Sequence, residues 1–290
     1  MLVTGGAGTV AGGLLGLRPD GVEVVATRRR TPVTVLPAVP TVAVDLADPG
    51  ATEAALHDVA PQIVVHTAYD ARDGERDIVA ATRNVATACA RQGIRLLHMS
   101  TDVVFDGEHA PYGEHDVPDP VSAYGRWKRA AEVAISELVP DATVVRTSLV
   151  LRADPPDPAS AARLQELRRG EPDQMMALFT DELRCPIAVD DLAASLWELV
   201  ALPRQAAAGV WHVAGPEALS RYALGLLLAA RAGLPPAFRL ASSASSPSPR
   251  PRDVRLTTAR ADALLATRPR PVSVVLAPPR WPPPAPGKPS

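Results

Sequence analysis

Cysteine is scarce in this chain. Only Cys89 and Cys185 occur among 290 residues, and they form no metal-binding spacing. That scarcity argues against a disulfide-stapled secreted scaffold and for a reducing cytoplasm. Cys89 falls within a helical pattern and reads as a small core residue. None of the six histidines pairs with another at a ligand spacing, so no residue is assigned to a metal. Charge imbalance is missing too. Lys and Arg total 30 against 32 for Asp and Glu, which points away from nucleic acid and from membrane surfaces. No apolar run approaches the ~18 residues a bilayer span needs. No basic residue precedes the N-terminal apolar run, so a secretory signal is not expected. No internal repeat is visible. What remains is a chain long enough to bury roughly three quarters of the surface its unfolded form exposes.

The N-terminus is where the chain becomes specific. Met1-Leu2-Val3 reads as a short strand running into Thr4-Gly5-Gly6-Ala7-Gly8-Thr9-Val10-Ala11-Gly12, of the form T-G-x-x-G-x-x-A. Leu14, Leu15 and Leu17 continue as a helix. Glycines at 5 and 8 permit a tight turn and close backbone approach, and the helix start offers unpaired N–H groups to a pyrophosphate. A glycine-rich loop alone is a weak signal. Here Val22–Ala26 follows as a second strand, and strand–loop–helix–strand is the context the motif requires. That strand leads into Thr27-Arg28-Arg29-Arg30. An acidic residue there would bind the ribose 2′-hydroxyl of NAD. Arginine instead suits a 2′-phosphate through charge-assisted hydrogen bonds. Such a contact is worth roughly 1.5–3 kcal/mol, or about ten- to a hundredfold in preference. The turn favours NADPH, with NADH the alternative, over a merely solvated basic turn.

Further along, apolar strands alternate with helical stretches. Strands are expected at Thr41–Val44, Gln62–His66, Ile94–Met99 and Thr143–Arg146, and helices at Ala51–Val59, Glu75–Gln92 and Ser122–Leu138. This alternation predicts an α/β fold, a Rossmann-like doubly wound parallel sheet with right-handed crossovers. Ligands of such sheets sit beyond the carboxyl ends of the strands. Thr4–Gly8, Asp45, Thr67-Ala68-Tyr69 and Ser100-Thr101 all fall there. From about residue 149 the pattern loosens. Helices are expected at 157–170, 191–202 and 220–232, a strand at 210–213, and a loop at 242–252. Residues 1–148 read as an NAD(P)-binding domain. Residues 149–276 read mainly as a smaller C-terminal substrate lobe, with some segments returning to the core. The proline-rich stretch 277–290 is expected to be a disordered tail.

Ser122-Ala123-Tyr124-Gly125-Arg126-Trp127-Lys128 carries the clearest chemical signal. A spacing of four puts a phenol and an ammonium on one helical face, roughly 5–6 Å apart at their Cβ atoms. Tyrosine titrates near ~10, and an adjacent cation favours the phenolate. Thr101 could hold a carbonyl oxygen beside the phenol. An isolated Y-x-x-x-K is structural in most helices; its place after the glycine loop and the Ser-Thr strand end gives it weight. Thr101, Tyr124 and Lys128 together suit proton transfer at a carbinol oxygen while a hydride moves elsewhere.

These stretches resemble the extended short-chain dehydrogenase/reductases, and most closely the dTDP-4-dehydrorhamnose reductase branch. The resemblance rests on residues 4–11 (T-G-G-A-G-T-V-A), 44–46 (V-D-L), 99–107 (M-S-T-D-V-V-F-D-G), 124–128 (Y-G-R-W-K) and 145–148 (V-R-T-S), on 179–193 and 209–222, and on an echo at 250–256. It implies Thr101, Tyr124 and Lys128 as catalytic residues, with Lys128 also on the nicotinamide ribose. It implies Gly5, Gly8, Thr9 and Val10 around the pyrophosphate, and Asp45 and Leu46 flanking the adenine. Arg28, Thr67, Ala68, Tyr69 and Ser100 complete the expected cofactor-binding set. The implied substrate is a 4-keto sugar carried on a nucleotide, and the implied assembly a homodimer.

The chain also departs from the branch. Val103 stands where a tyrosine is usual and Leu149 where a tryptophan is frequent, so both are candidate substrate-facing positions. Val103 also occupies the place of the glutamate in related dehydratases, which disfavours dehydration. Ala11 replaces the third glycine of the fingerprint. Beside the reductase stand two further readings: a non-catalytic, cofactor-binding regulatory subunit, and a nucleotide-sugar epimerase that retains its cofactor.

Overall fold

Seven parallel strands run through the centre of the molecule, a computed structural model that describes residues 1–34, 38–152, 176–234 and 238–277. The helix expected at 157–170 and the tail beyond 277 lie outside the described residues. The strands are β1 (Leu2–Thr4), β2 (Val25–Arg28), β3 (Thr41–Ala43), β4 (Ile63–His66), β5 (Arg95–Thr101), β6 (Thr143–Thr147) and β7 (Gly209–His212). Their order across the sheet is β7-β6-β5-β4-β1-β2-β3, and every pairing is parallel. The order reverses between β1 and β4, which opens a crevice beyond their carboxyl ends.

The principal helices are α1 (Thr9–Gly16), α2 (Pro49–Val59), α3 (Ala81–Gln92), α4 (Ala123–Leu138), α5 (Val189–Ala201) and α6 (Arg221–Arg231). Successive strand residues face opposite sides of the sheet. Val3, Val65, Leu97, Val145 and Trp211 pack with Leu14 and Leu15 of α1 and with Leu192, Leu196 and Leu199 of α5. Leu2, Val64, Leu96 and Val144 pack with Leu56 of α2, Val85 and Cys89 of α3, and Ile135 of α4. Runs such as Ile63-Val64-Val65 are therefore apolar throughout, because the sheet is covered on both faces. Each fully buried aliphatic side chain of this kind contributes roughly 1.5–3 kcal/mol.

Several boundaries differ from expectation, each for a pairing reason. The second strand begins at Val25, three residues later than expected, where Leu2 pairs with Val25 and Val3 with Ala26. It runs on to Arg28, which pairs with Ala43. β5 runs two residues past Met99, since Ser100 and Thr101 stay in register with Arg146 and Thr147. The long helix expected at 75–92 is α3 preceded by a wider, π-helical stretch, Glu75–Ala80. At its start a Cβ on Gly74 would lie 2.0 Å from the Trp127 ring, so only glycine lets α4 press so closely there.

Segments after residue 148 divide their attachments. Val150–Leu151 pairs with Ile187–Ala188, Leu183–Arg184 with Leu219–Ser220, and Met176–Phe179 with Phe238–Ala241. By contrast α5 packs on α1, where a Cβ on Gly13 would come within 2.5 Å of Val189, and β7 completes the sheet beside β6. Among the described residues no helix is long and apolar enough to cross a membrane.

Candidate active site

The loop between β1 and α1 lies at the crevice. Gly5 adopts φ +68°, and a Cβ there would sit 2.8 Å from Ala68 Cα. Glycine thus lets this loop rest against the end of β4. Thr4 fastens the two together. Its hydroxyl accepts from the Thr67 and Ala68 N–H groups and lies 2.7 Å from His66 Nδ1. The Thr67 hydroxyl donates to Thr4 O at 2.7 Å. Gly8 caps α1 with no side-chain acceptor, leaving the helix's N-terminal amides and positive dipole for an anion.

A cavity of about 360 Å³ opens beside this loop. Gly5, Gly8, Arg28, Asp45, Leu46, Thr67, Ala68 and Tyr69 all border it. The arginines in and beside it are in two states, and Arg72 is among the paired ones, held by Asp70. Arg29 is held by Asp77 at 2.7 Å and by Asp70 at 3.3 Å. Arg76 bridges Asp77 and Asp45, and its hydrogen bond holds the Asp45 carboxyl below the usual range. Arg28 and Arg30 border the same cavity with no ion-pair partner among the described residues. The glycine cradle, the open helix start and these two guanidinium groups fit a dinucleotide carrying a 2′-phosphate.

A second cavity, about 830 Å³, adjoins the first and shares Gly8, Thr67 and Tyr69 with it. Thr9, Val10, Ser100, Thr101, Val103, Tyr124, Lys128 and Leu149 border this one. Every candidate catalytic, cofactor-binding and substrate-facing residue named from the sequence therefore borders one cavity or the other.

Tyr124 and Lys128 are one turn apart on α4. The Ser122 hydroxyl starts that helix by accepting from Gly125 N–H at 3.1 Å. Lys128 is only 4% exposed. Its ammonium donates to Met99 O at 2.8 Å and lies 5.4 Å from the centre of the Tyr69 ring. Burial pushes its pKa down to about 8, against the opposing pull of Glu132. Glu132, one turn further along, is buried. It accepts from the Ser100 hydroxyl at 2.5 Å and from Arg146 at 3.0 and 2.9 Å. Sequence reasoning passed over Glu132, although Tyr124, Lys128 and Glu132 recur at every fourth position.

Burial also pushes the Tyr124 phenol above its ordinary value. Tyr69 and Asp102 add to that rise, while Arg184 and a hydrogen bond with Thr101 oppose it. Arg184 is the cation that opposes the rise, while the Lys128 ammonium donates to a backbone carbonyl.

Arg184 belongs to a wall that sequence reasoning did not find. Asp102 is fully buried and receives two N–H groups of Arg184, Nε at 2.7 Å and Nη2. The Thr101 hydroxyl donates to the same carboxylate at 3.2 Å. Glu182, 1% exposed, accepts from Arg250 Nε at 2.7 Å and Nη2 at 3.2 Å. It lies 3.6 Å from Arg184 and 3.8 Å from Arg221. Glu182, Arg184, Arg221 and Arg250 all border the larger cavity. Only Glu182 and Arg184 are near neighbours in the chain, so no local spacing announces the group.

A family model described as the RmlD substrate binding domain matches residues 1–277. The dTDP-4-keto-6-deoxy-D-glucose reductase of Streptomyces niveus is 34% identical over 224 residues, 73% of this chain and 71% of that protein. Methionine adenosyltransferase 2 subunit beta of Danio rerio is 28% identical over 232 residues, 76% of this chain and 72% of that one. The crystal structure of a hypothetical dTDP-4-dehydrorhamnose reductase from Sulfolobus tokodaii superposes with a TM-score of 0.78 at 26% identity, covering 93% of this chain and 96% of that one.

Proposed function

Because the chain belongs to the RmlD substrate binding domain family, we propose that it is an NADPH-dependent reductase of a nucleotide-linked 4-keto sugar. One observation carries the reading. Thr101, Tyr124 and Lys128 border a cavity that shares Gly8, Thr67 and Tyr69 with the glycine-loop cleft. A dinucleotide seated in the cleft would therefore reach a carbonyl placed between the phenol and the Thr101 hydroxyl. Arg28 and Arg30 support NADPH over NADH.

The bound nicotinamide would supply a hydride to the carbonyl carbon. Tyr124 supplies the proton to the oxygen. Its raised pKa keeps it protonated near neutral pH, the form a donor needs. The phenolate left behind is stabilised by Arg184 and by Thr101, the two groups that already oppose the rise. Lys128 is buried in the larger cavity beside Tyr69, which borders both cavities, and there it would hold the nicotinamide ribose. Cys89 and Cys185, both buried and unpaired, suit a cytoplasmic enzyme.

The test is oxidation of NADPH and NADH in the presence of dTDP-4-keto-6-deoxy sugars, with Tyr124→Phe as control. Turnover that prefers NADPH and vanishes in Tyr124→Phe, with cofactor affinity kept, supports the proposal. Undiminished turnover in Tyr124→Phe sinks it. A second reading, a non-catalytic cofactor-binding subunit, draws on the likeness to methionine adenosyltransferase 2 subunit beta. It predicts cofactor binding with no Tyr124-dependent turnover.

A further inference from the structure

Cations and carboxylates alternate along one side of the glycine-loop cleft. Arg72 meets Asp70, Asp70 meets Arg29, Arg29 meets Asp77, Asp77 meets Arg76, and Arg76 meets Asp45. All of them except Arg76 border the cleft. The sheet gathers this ladder from three places: Arg29 follows β2, Asp45 follows β3, and the other four follow β4. Its three positive charges cancel its three negative ones. Arg28 and Arg30, which border the same cleft, are left to face an incoming anion.

The carboxylates are not equally well covered. Asp70 accepts from Arg72 and Arg29, and Asp77 from Arg29 and Arg76. Among the described residues Asp45 accepts from a single guanidinium, that of Arg76, and from Ala47 N–H at 3.1 Å. An uncancelled carboxylate on this cleft would repel a phosphate drawn to Arg28 and Arg30. Arg76 reaches Asp45 from an anchored base. The preceding Glu75 accepts from Trp127 Nε1–H at 3.1 Å, and Gly74 lies against the same ring, so α4 fixes the segment from behind.

We propose that Arg76 is a specificity-determining residue that cancels Asp45 and so lets the cleft take a dinucleotide carrying a 2′-phosphate. Arg28 and Arg30 supply the attraction, and Arg76 removes the opposing charge without bordering the cleft itself. A ribose 2′-hydroxyl is neutral and is not repelled by Asp45, so the effect falls on NADPH and spares NADH. The inference rests on the proposal that this cleft receives NADPH.

Fluorescence titration with NADPH and with NADH tests it, because binding is read without turnover. Arg76→Gln is expected to weaken NADPH about tenfold and leave NADH nearly unchanged, the scale of one charge pair roughly 10 Å apart near a protein surface. Adding Asp45→Asn to that variant should restore the ratio of the two affinities to the wild-type value. Arg76→Lys keeps the charge and should keep most of the ratio. Equal losses for both nucleotides in Arg76→Gln, or a double variant whose ratio stays low, would trace the effect to the shape of the segment and overturn the proposal. The Arg76 side chain is 44% exposed, so the variants are expected to fold. A wild type that binds both nucleotides equally, with Arg76→Gln weakening NADPH alone, would keep the role of Arg76 and remove the NADPH preference. A wild-type preference that Arg76→Gln leaves intact would do the reverse.

Discussion

Lys128→Met should make the protein more stable near neutral pH while removing its activity. The ammonium is 4% exposed, and burial lowers its pKa from 10.5 to about 8. At ~1.4 kcal/mol per pKa unit, that fall represents roughly 3 kcal/mol of folding free energy. Between those two values the unfolded chain binds more protons than the folded one. Stability therefore rises with pH across the window, and the full penalty is present below about pH 8. Methionine fills similar volume without charge but loses the hydrogen bond to Met99 O, worth about 1 kcal/mol. The net gain near neutral pH is about 2 kcal/mol, or roughly 4–8 °C in Tm for a chain of this order of size. The background is favourable, since Lys288 is the only other lysine. Thermal and urea unfolding of both proteins from near-neutral to strongly alkaline pH would show the gap closing as Lys128 loses its proton. A variant less stable than the wild type near neutral pH, or a gap that ignores pH, would refute the reasoning.

Glu132→Gln removes the charge that Arg146 and Ser100 share inside the fold. Breaking a buried pair from one side should destabilise by about 3–5 kcal/mol, read by urea unfolding; a loss below about 1 kcal/mol would show the network to be incidental. Arg28→Ala should weaken NADPH by about ten- to a hundredfold and leave NADH nearly unchanged, as measured by fluorescence titration of each cofactor. Equal losses would mean that Arg28 meets no 2′-phosphate.

Local patterns carried much of this architecture, and long-range pairings carried the rest. The glycine loop, Ser122 at the start of α4 and the Tyr124–Lys128 step are all set by residues within a turn of one another, so their spacing is readable. The end of β5 is not local. Ser100 and Thr101 remain strand because Arg146 and Thr147 lie beside them. The stretch 210–213 announces a strand, but nothing in it names β6 as its neighbour. The Glu182 group was hidden for a similar reason, since ion pairs 39 and 68 residues apart have no period. Glu132 was legible by spacing, yet a glutamate on a helix ordinarily faces solvent. Only the partners Ser100 and Arg146 explain its burial.

The return of α5 and β7 to the sheet bears on how the chain acquires its shape during synthesis. Leu14 and Leu15 of α1 find their cover in Leu192, Leu196 and Leu199, nearly two hundred residues later. The edge of β6 waits for Gly209–His212. Until those residues leave the ribosome, a nascent chain ending near 150 carries a bare strand edge and an uncovered apolar helix face. Such features invite chaperones or self-association. Cutting the chain at that point to isolate a cofactor-binding fragment would reproduce the same unfinished intermediate.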